Sequence, residues 1–302
     1  MNKSKKNTNL RPFVRTRLTK YPKLHQTSIL LHQNFCSATG WLHTLPDFII
    51  IGAARCGTTS LYEYLMQHPD IYQGVGKEIH YFEQLYKRGI NWYKVCFPFK
   101  IQKFFINNIL KKRFLTGEAT PRYLDHPAVP KRIQKLIPNV KLIVMLRNPI
   151  DRTFSHYAMN VKNGFEELGF EEAIKNETKR VKEAYEFILK TNEHSLDYYL
   201  YAYLERSTYV NKIRRWFEVF PKEQIMIIQS EEFFSDPSKI FNKVLKFLDL
   251  PQFELTEYKK RMKGQYKKNS MDSDIRKKLS DYFRPYNEEL NRLLGINFDW
   301  NK

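Results

Sequence analysis

The chain has 302 residues, of which 42% are hydrophobic, which is enough for a large buried core and for one or two domains. Lys and Arg outnumber Asp and Glu by 51 to 32, and the formal net charge of +19 favours anionic partners such as nucleic acid, acidic lipid, phosphorylated cofactors or anionic glycans. No apolar run reaches the roughly 18 residues of a membrane span, and three cysteines without a CxxC pair argue against a disulfide framework or a zinc site.

The first 45 residues form a basic leader with eight lysines and arginines and no acidic residue. This composition predicts a flexible tail that precedes a folded domain at residues 46–302. The sparse cysteines suit a reducing compartment, so we expect a cytoplasmic protein. A basic, acid-free segment that contains Ser and Thr is also typical of transit peptides, which leaves organellar import as the alternative.

Strand-like and helix-like stretches alternate along the rest of the chain. Short apolar runs, of the kind found in strands covered on both faces, predict strands at residues 47–51, 140–146 and 224–229, with a weaker candidate at 114–119. Helices are predicted at residues 58–67, 127–136, 149–161, 170–190, 198–220 and 237–248. A last helix is predicted from Ile275 to Leu294, and Pro285 should kink or split it.

This alternation predicts an α/β fold, a P-loop-type parallel sheet with helices on both faces in a single domain. Ligands of such sheets bind at the carboxyl ends of the strands. Gly52, Glu118 and Arg147 are predicted to emerge at that edge.

The stretch DFIIIGAARCGTTSL, residues 47–61, has the features of a phosphate-binding loop. Gly52 and Gly57 bracket four residues, as in G-x-x-x-x-G-K-[ST], so backbone N–H groups and the start of the next helix can converge on an oxyanion. Thr58 takes the place of the lysine that a nucleotide triphosphatase requires, and Thr59 adds a second hydroxyl donor. A tight turn without a ligand remains the alternative for this motif alone.

Two arginines stand where a triphosphatase would have other groups. Arg55 is the only cation in the loop, and the strand at residues 140–146 is followed by Arg147 in place of a magnesium-binding aspartate. Ser155 follows eight residues later on a predicted helix, where it can grip a phosphate together with Arg147. The pattern predicts a nucleotide with two separate phosphate groups and no metal, although an ordinary strand–Pro–helix connection would also fit the second stretch.

At this point the chain resembles the sulfotransferases that use 3′-phosphoadenosine 5′-phosphosulfate (PAPS). The glycine loop is similar to their 5′-phosphosulfate loop, and LRNPIDRTFSHY is similar to their 3′-phosphate motif. The resemblance runs in order from about Pro46 to Trp300 through KEIHYFE, GEATPRYL, YVNKIRRWFEVFPKEQIMII, EEFFSDP and YFRPYNEELNRLLGINFDW. KEIHYF, TPRYL and the final FDW are closest to carbohydrate sulfotransferases, particularly the heparan-sulfate glucosaminyl type and their bacterial relatives.

The resemblance implies PAPS as the sulfate donor, without a metal, and assigns roles to residues of both motifs. Arg55 falls where the family usually has a lysine on the leaving phosphate oxygen, and it can serve there as a cation. A late basic segment resembles the one that closes over the cofactor's phosphates. The residues implied to bind the cofactor are Arg55, Cys56, Gly57, Thr58, Thr59, Arg147, Ser155, Lys263, Gly264, Lys267 and Lys268.

The same resemblance implies a catalytic base. KEIHYF places a glutamate at Glu78, and His80 would point to the same side if this stretch is extended. His126 is the rival base, because steroid-type members use a histidine between the two phosphate motifs. Glu118 and Arg122 fall in a segment that lines the acceptor cleft of similar enzymes, although Glu118 could instead be a buried ion-pair partner.

The sequence thus predicts a sulfotransferase that acts on a hydroxyl or amine of a carbohydrate or small-molecule acceptor, with no nucleic-acid partner expected. A P-loop kinase or triphosphatase is the first alternative, but it needs a lysine after Gly57 and a strand-end aspartate, and the sequence has neither. A basic binding module for nucleic acid or anionic glycan is the second alternative, and it would explain the net charge. The acceptor and the oligomeric state stay open.

Overall fold

A computed structural model describes residues 38–259 and 271–300 of the protein. Its centre is a parallel β-sheet. The four strands are paired in the order β2-β1-β3-β4, and every pairing is parallel. All four predicted strands are confirmed, including the weak one, with bounds that differ by one to three residues. The strands are β1 (Phe48–Gly52), β2 (Gly117–Ala119), β3 (Lys141–Leu146) and β4 (Ile225–Gln229).

The burial of the two central strands, β1 and β3, explains why their sequences are almost entirely apolar. Every residue of β1 is buried, and β3 is buried from Leu142 onward, because helices cover both faces of the sheet. In the sheet register, Ile49 of β1 lies between Glu118 of β2 and Leu142 of β3. This arrangement confirms the predicted α/β class and brings the carboxyl ends of β1 and β3 to the same edge.

Helices connect and cover the strands. A π turn at Phe105–Ile109 continues α3, and short 3-10 turns occur between several helices. The helices are α1 (Thr58–Leu65), α2 (Ile90–Lys94), α3 (Lys100–Phe104), α4 (Val129–Leu136), α5 (Pro149–Lys162), α6 (Phe170–Lys175), α7 (Glu177–Thr191), α8 (Leu196–Tyr201), α9 (Val210–Phe217), α10 (Ser230–Ser235), α11 (Pro237–Phe247) and α12 (Ser273–Leu294).

Two of the predicted long helices are divided in the structure. The stretch at residues 170–190 breaks at Asn176 into α6 and α7, and the stretch at 198–220 becomes α8, a 3-10 turn and α9. The second break has a tertiary cause. The buried carboxylate of Glu177 accepts hydrogen bonds from the backbone N–H groups of Leu204 and Glu205 at 2.7 and 2.8 Å, which holds a turn between α8 and α9.

The last helix, α12, continues through Pro285, so the prediction of a split at that residue is wrong. Proline removes one backbone hydrogen bond and costs about 3 kcal/mol in a helix interior. Tertiary packing offsets this cost, because Phe283, Asn287 and Leu290 on both sides of the proline are buried against the rest of the protein.

The packed structure begins upstream of the predicted domain start at residue 46. The imidazole Nδ1 of His43 lies 2.6 Å from the carbonyl oxygen of Phe97, and the N–H of Thr44 donates to the carbonyl of Pro98 at 2.9 Å. The remainder of the predicted leader, residues 1–37, lies outside the described residues. None of the helices within residues 38–259 and 271–300 has the length and apolar character to cross a bilayer.

Candidate active site

The phosphate loop lies between β1 and α1, as predicted. Helix α1 begins at Thr58, and Gly57 caps it with a φ of 96°, a left-handed conformation that favours glycine. A Cβ at Gly57 would lie only 2.9 Å from Cε1 of Phe234, so the position has no room for a side chain. The amino end of α1 therefore opens directly onto the loop, where the helix dipole favours an anion.

Two buried side chains hold the loop from below. Nε of Arg152 donates to the carbonyl oxygen of Ala54 at 3.2 Å, and the hydroxyl of Ser230 donates to the carbonyl oxygen of Cys56 at 2.8 Å. The C=O and N–H groups of a trans peptide point in opposite directions, so carbonyls that face the core leave the N–H groups of the same peptides facing away from it. Arg152 has almost no exposed surface, and burial lowers its pKa, yet a guanidinium keeps its proton and so places a positive charge beneath the loop.

Arg55 extends from the loop toward α5. Its backbone is left-handed, with a φ of 74°, and its Nε donates to the hydroxyl of Ser155 at 3.1 Å. Nη1 of Arg55 also contacts the sulfur of Met159 at 3.5 Å. Arg55 was predicted at the leaving phosphate and Ser155 at the 3′-phosphate, and the structure brings these two residues into contact.

Arg147 stands at the carboxyl end of β3, next to the same loop. Its carbonyl accepts a hydrogen bond from the hydroxyl of Tyr209 at 3.0 Å. Arg147 is also close enough to act on the buried thiol of Cys56 in the loop. Burial raises the pKa of Cys56, whereas the charges of Arg152 and Arg147 act to lower it. The structure thus gathers the predicted residues of the two phosphate motifs around one loop. Lys263, Gly264, Lys267 and Lys268 lie outside the described residues.

Lys77 is a loop-facing cation that the sequence analysis assigned no role. Its ammonium donates to the hydroxyl of Thr59 at 2.7 Å and lies 3.7 Å from Oε1 of Glu78. The only signal in the sequence was its place at the start of KEIHYF, one residue before the predicted base. The contact with Thr59 joins the segment that carries Glu78 to the phosphate loop.

Glu78 and His80 lie side by side, although not for the predicted reason. Their φ angles are 59° and 57°, so the segment is left-handed at both residues and the expectation of an extended stretch is wrong. The Glu78 N–H donates to the carbonyl of Ala119 at 2.7 Å, which fixes the turn against the end of β2. Nε2 of His80 lies 4.0 Å from Oε2 of Glu78.

Glu83 is a second residue that the sequence analysis missed. Its buried carboxylate, through Oε1, is hydrogen-bonded to Nδ1 of His80. A carboxylate on Nδ1 keeps the proton on that nitrogen and leaves Nε2 of His80 directed at Glu78. The side chain of Glu78 has half of its surface exposed, so it is accessible to an acceptor.

Glu118 lies below the site and does not line a cleft, which corrects its predicted role as an acceptor residue. It is fully buried and accepts hydrogen bonds from three hydroxyls, those of Tyr93 at 2.5 Å, Thr120 at 2.7 Å and Tyr123 at 3.2 Å. Burial, together with the charge of Glu83, raises the pKa of Glu118 to about 7. Its partners are hydroxyls, so it is not an ion-pair partner either.

Arg122 lies at the edge of the site, where the charges of Glu78 and Glu83 act on it. Its Nη1 lies 3.1 Å from Nε2 of His194, and its guanidinium stacks over the ring of Tyr199 at 4.9 Å. Burial and the neighbouring charge of Arg122 lower the pKa of His194 to about 4, so a neutral imidazole accepts the hydrogen bond and orients the arginine. This placement is compatible with the predicted contact to an acceptor.

The rival base His126 is not at the site surface. It is fully buried, and its Nδ1 accepts a hydrogen bond from the N–H of Ala128 at 3.2 Å. Burial, followed by the charge of Arg132, lowers the pKa of His126 to about 4. Because no atom of this ring is exposed, it cannot reach an acceptor hydroxyl in this structure, which contradicts its candidacy as the base.

The comparisons with known proteins agree with this geometry. A family model for the sulfotransferase domain matches residues 45–287, so the chain belongs to the sulfotransferase family. The crystal structure of a sulfotransferase from Alicyclobacillus acidocaldarius aligns with a TM-score of 0.65 and 29% identity over 86% of this chain and 100% of that one. The chain is therefore an enzyme that transfers sulfuryl groups, and the family implies a donor of the PAPS type.

Two curated relatives show the same similarity at the sequence level. The membrane-associated sulfotransferase kil1 of Dictyostelium discoideum is 29% identical over 86% of this chain and 68% of its own length. The mouse heparan sulfate glucosamine 3-O-sulfotransferase 3B1 is 27% identical over 85% of this chain and 65% of its own length. The chain thus spans about two thirds of these relatives. The family match does not favour the kinase or the non-catalytic binding module.

Proposed function

We propose that this enzyme moves sulfuryl from PAPS directly to a hydroxyl of a carbohydrate acceptor, without a metal, and that Glu78 is the base. The observation that carries the proposal is the hydrogen bond from Lys77 to Thr59, which sets Glu78 beside the phosphate loop. The donor would supply an activated sulfuryl group whose S–O bond breaks as the acceptor oxygen attacks, with the electron pair passing to the 5′-phosphate oxygen.

The hydrogen-bond donors and positive side chains around the loop suit a nucleotide with two separate phosphate groups. The amino end of α1, the hydroxyl of Thr59 and the ammonium of Lys77 are placed to stabilise a 5′-phosphate as its negative charge grows. Arg147 and Ser155 would hold the 3′-phosphate, and Arg55, whose Nε donates to the hydroxyl of Ser155, would lie close to that group as well.

Cations take the place of metal ligands at this site. Within the part of the chain that the structure describes, no three His, Cys, Asp or Glu side chains gather closely enough to hold a metal ion. Lys77 and the arginines can neutralise the developing charge by direct hydrogen bonds. The positive side chains at the site support a reaction that runs without a divalent ion.

The proton of the acceptor hydroxyl would pass to the Glu78 carboxylate, which is exposed and reachable. His80 sits behind it with Nε2 toward Oε2 of Glu78, held by the buried Glu83. Their proposed role is to hold the turn that carries the base, since an imidazole protonated on Nδ1 has no N–H at Nε2 to donate to Glu78. Lys77 contacts both Glu78 and the loop, so it ties the positions of acceptor and donor together.

A carbohydrate acceptor is supported by the relatives and by charge. The mouse relative is named for glucosamine 3-O-sulfation of heparan sulfate, an anionic glycan. Arg122 presents a guanidinium at the edge of the site, and the chain carries a net charge of +19. A guanidinium can bind a sulfate or carboxylate on a sugar in a bidentate manner.

An acceptor panel tests this proposal. PAPS labelled in its sulfuryl group should be incubated with N-sulfated heparan oligosaccharides, their N-acetylated counterparts, a simple phenol and a simple alkyl amine. We expect label on an oligosaccharide hydroxyl and an activity that survives EDTA. Label only on the phenol or the amine would contradict the carbohydrate acceptor, and activity that EDTA abolishes and Mg²⁺ restores would contradict the metal-free reaction.

A further inference from the structure

An amphipathic segment far from the phosphate loop exposes its apolar side. Helix α3 and the π turn that continues it carry four large apolar side chains that are between 51% and 72% exposed. These residues are spaced at i, i+3, i+4 and i+8, which places them on one face of the helix. We call them the apolar stripe: Ile101, Phe104, Phe105 and Ile109.

The opposite side of the same segment is already occupied by the protein. Ile106 is buried there, and the ammonium of Lys103 makes an ion pair with Asp47 at 2.6 Å. The helix is therefore docked through its other face, and the stripe points away from the core. A contiguous exposed apolar patch on a folded protein marks an interaction surface more often than an isolated apolar residue does.

The charged side chains that the segment itself carries are all positive. Residues 99–113 contain five lysines and arginines and no acidic residue. Lys100 and the run at residues 111–113 are exposed next to the stripe. Lys94, on α2, lies close enough that the charge of Lys100 adds to burial in lowering the pKa of Lys94, so this corner of the protein is a positive cluster.

We propose that the apolar stripe and its basic border form a docking surface for an anionic lipid bilayer. Large apolar side chains between basic ones are the combination that places a helix in the interface of a membrane, with the rings among the acyl chains and the ammonium groups at the headgroups. The charge argues against other occupants. A second copy would bring two positive clusters together, and residues 1–37, which carry eight lysines and arginines and no acidic residue, would also be repelled.

This surface lies at the end of the sheet opposite the active site. Lys103 is tied to Asp47, the residue before β1, and the carboxylate of Asp47 also accepts the N–H of Thr116, the residue before β2, at 2.9 Å. The phosphate loop leaves β1 at its other end, after Gly52. A bilayer bound to the stripe would therefore leave the mouth of the active site facing the aqueous phase.

The test is sedimentation of the full chain with vesicles of phosphatidylcholine alone or mixed with phosphatidylserine. We expect binding to the mixed vesicles that weakens as salt is raised, and little binding to phosphatidylcholine alone. The double variant Ile101→Asp, Phe105→Asp should bind at least about tenfold more weakly. Its matched control is Phe187→Asp, Leu189→Asp on α7, where both side chains are also exposed, and it should bind like the wild type.

Charge reversal provides a second arm. Lys111→Glu, Lys112→Glu should weaken vesicle binding, whereas Lys179→Glu, Lys182→Glu on α7 has the same net charge and should weaken it less. The thermal unfolding midpoint of each variant verifies that it folds.

Three results would overturn the proposal. First, the Ile101→Asp, Phe105→Asp variant could bind vesicles as the wild type does. Second, deletion of residues 1–37 could abolish binding that this variant retains, which would assign the lipid contact to the leader. Light scattering could instead reveal a dimer that the stripe variant dissociates, which would make a second copy the occupant.

Discussion

The ammonium nitrogen of Lys77 lies 2.7 Å from the hydroxyl oxygen of Thr59, and this contact joins two segments that are separated by 18 residues in the sequence. Thr59 stands in the first turn of α1, at the phosphate loop, and Lys77 precedes the proposed base Glu78. A single side chain thus connects the place where the leaving group binds to the place where the acceptor proton is removed.

Replacement of Lys77 by methionine should impair both donor binding and turnover. A charge-assisted hydrogen bond is worth about 1.5–3 kcal/mol, so affinity for adenosine 3′,5′-bisphosphate should fall by about 10- to 100-fold. The rate should fall as well, because the ammonium can stabilise the charge that develops on the phosphate. Lys87→Met, which removes an exposed lysine paired with Glu193, is the control and should change neither quantity. A Lys77→Met enzyme with wild-type affinity and kcat would remove Lys77 from the site.

The variant Glu78→Gln separates chemistry from binding. It keeps the shape of the side chain and removes the proton acceptor, so kcat should drop by about 10²- to 10⁴-fold. Affinity for adenosine 3′,5′-bisphosphate, measured by calorimetry, should stay close to the wild-type value. Glu186→Gln, at an exposed position of α7, serves as the control. Full activity of Glu78→Gln would show that another group takes the proton.

Arg147 should discriminate between nucleotides by their 3′-phosphate. The variant Arg147→Gln should lose about 10- to 100-fold in affinity for adenosine 3′,5′-bisphosphate, because it loses a charge-assisted contact. Its affinity for adenosine 5′-phosphate, which lacks the 3′ group, should change little. Equal losses for both nucleotides would indicate that Arg147 supports the loop and does not bind the 3′-phosphate.

The buried carboxyl of Glu118 should make stability depend on pH. Its pKa is raised from an ordinary value near 4.5 to about 7 in the folded protein, so the unfolded chain gives up this proton at a lower pH than the folded one does. The contribution of Glu118 to the free energy of unfolding is present below about pH 4.5 and falls, by about 3 kcal/mol, as the pH rises to 7.

The measurement compares urea unfolding of the wild type and of Glu118→Gln between pH 4.5 and 7.5. The stability of the wild type relative to the variant should decline as the pH rises. Other titrating groups, including Glu177, whose pKa burial also raises to about 7, cancel in this difference. A difference that stays constant with pH would mean that folding does not change the pKa of Glu118.

The sequence predicted the sheet well because its signal is local. The run at β1 and the run at β3 from Leu142 onward are apolar because both faces of these strands are covered, and the partly buried edge strand β4 is apolar from Ile225 to Ile228. Such runs are visible without knowledge of their neighbours. Helix ends were harder to predict. The turn between α8 and α9 is held by Glu177, a residue far away in sequence, and no local pattern marks it.

The candidate site was predictable where it follows a motif and not where it depends on the fold. Gly57 and Arg55 were predicted at the phosphate loop and Ser155 at the second phosphate motif, and in the structure Arg55 contacts Ser155. Burial of Glu118 was one of the predicted alternatives, but its hydroxyl partners were missed, because Tyr93 comes 25 residues earlier in the chain. The role of Lys77 also escaped prediction, since its contact with Thr59 joins segments 18 residues apart that only the fold brings together.

The central claim is that the phosphate loop and the second motif, with Arg147 and Ser155, bind the two phosphate groups of one adenosine nucleotide without a metal. Calorimetry tests this claim most directly. Adenosine 3′,5′-bisphosphate and ATP with Mg²⁺ should be titrated into the full chain in parallel. We predict binding of the bisphosphate at micromolar or tighter concentrations in the presence of EDTA, and no measurable binding of ATP with Mg²⁺. Tight binding of ATP with Mg²⁺ together with no binding of the bisphosphate would contradict the account.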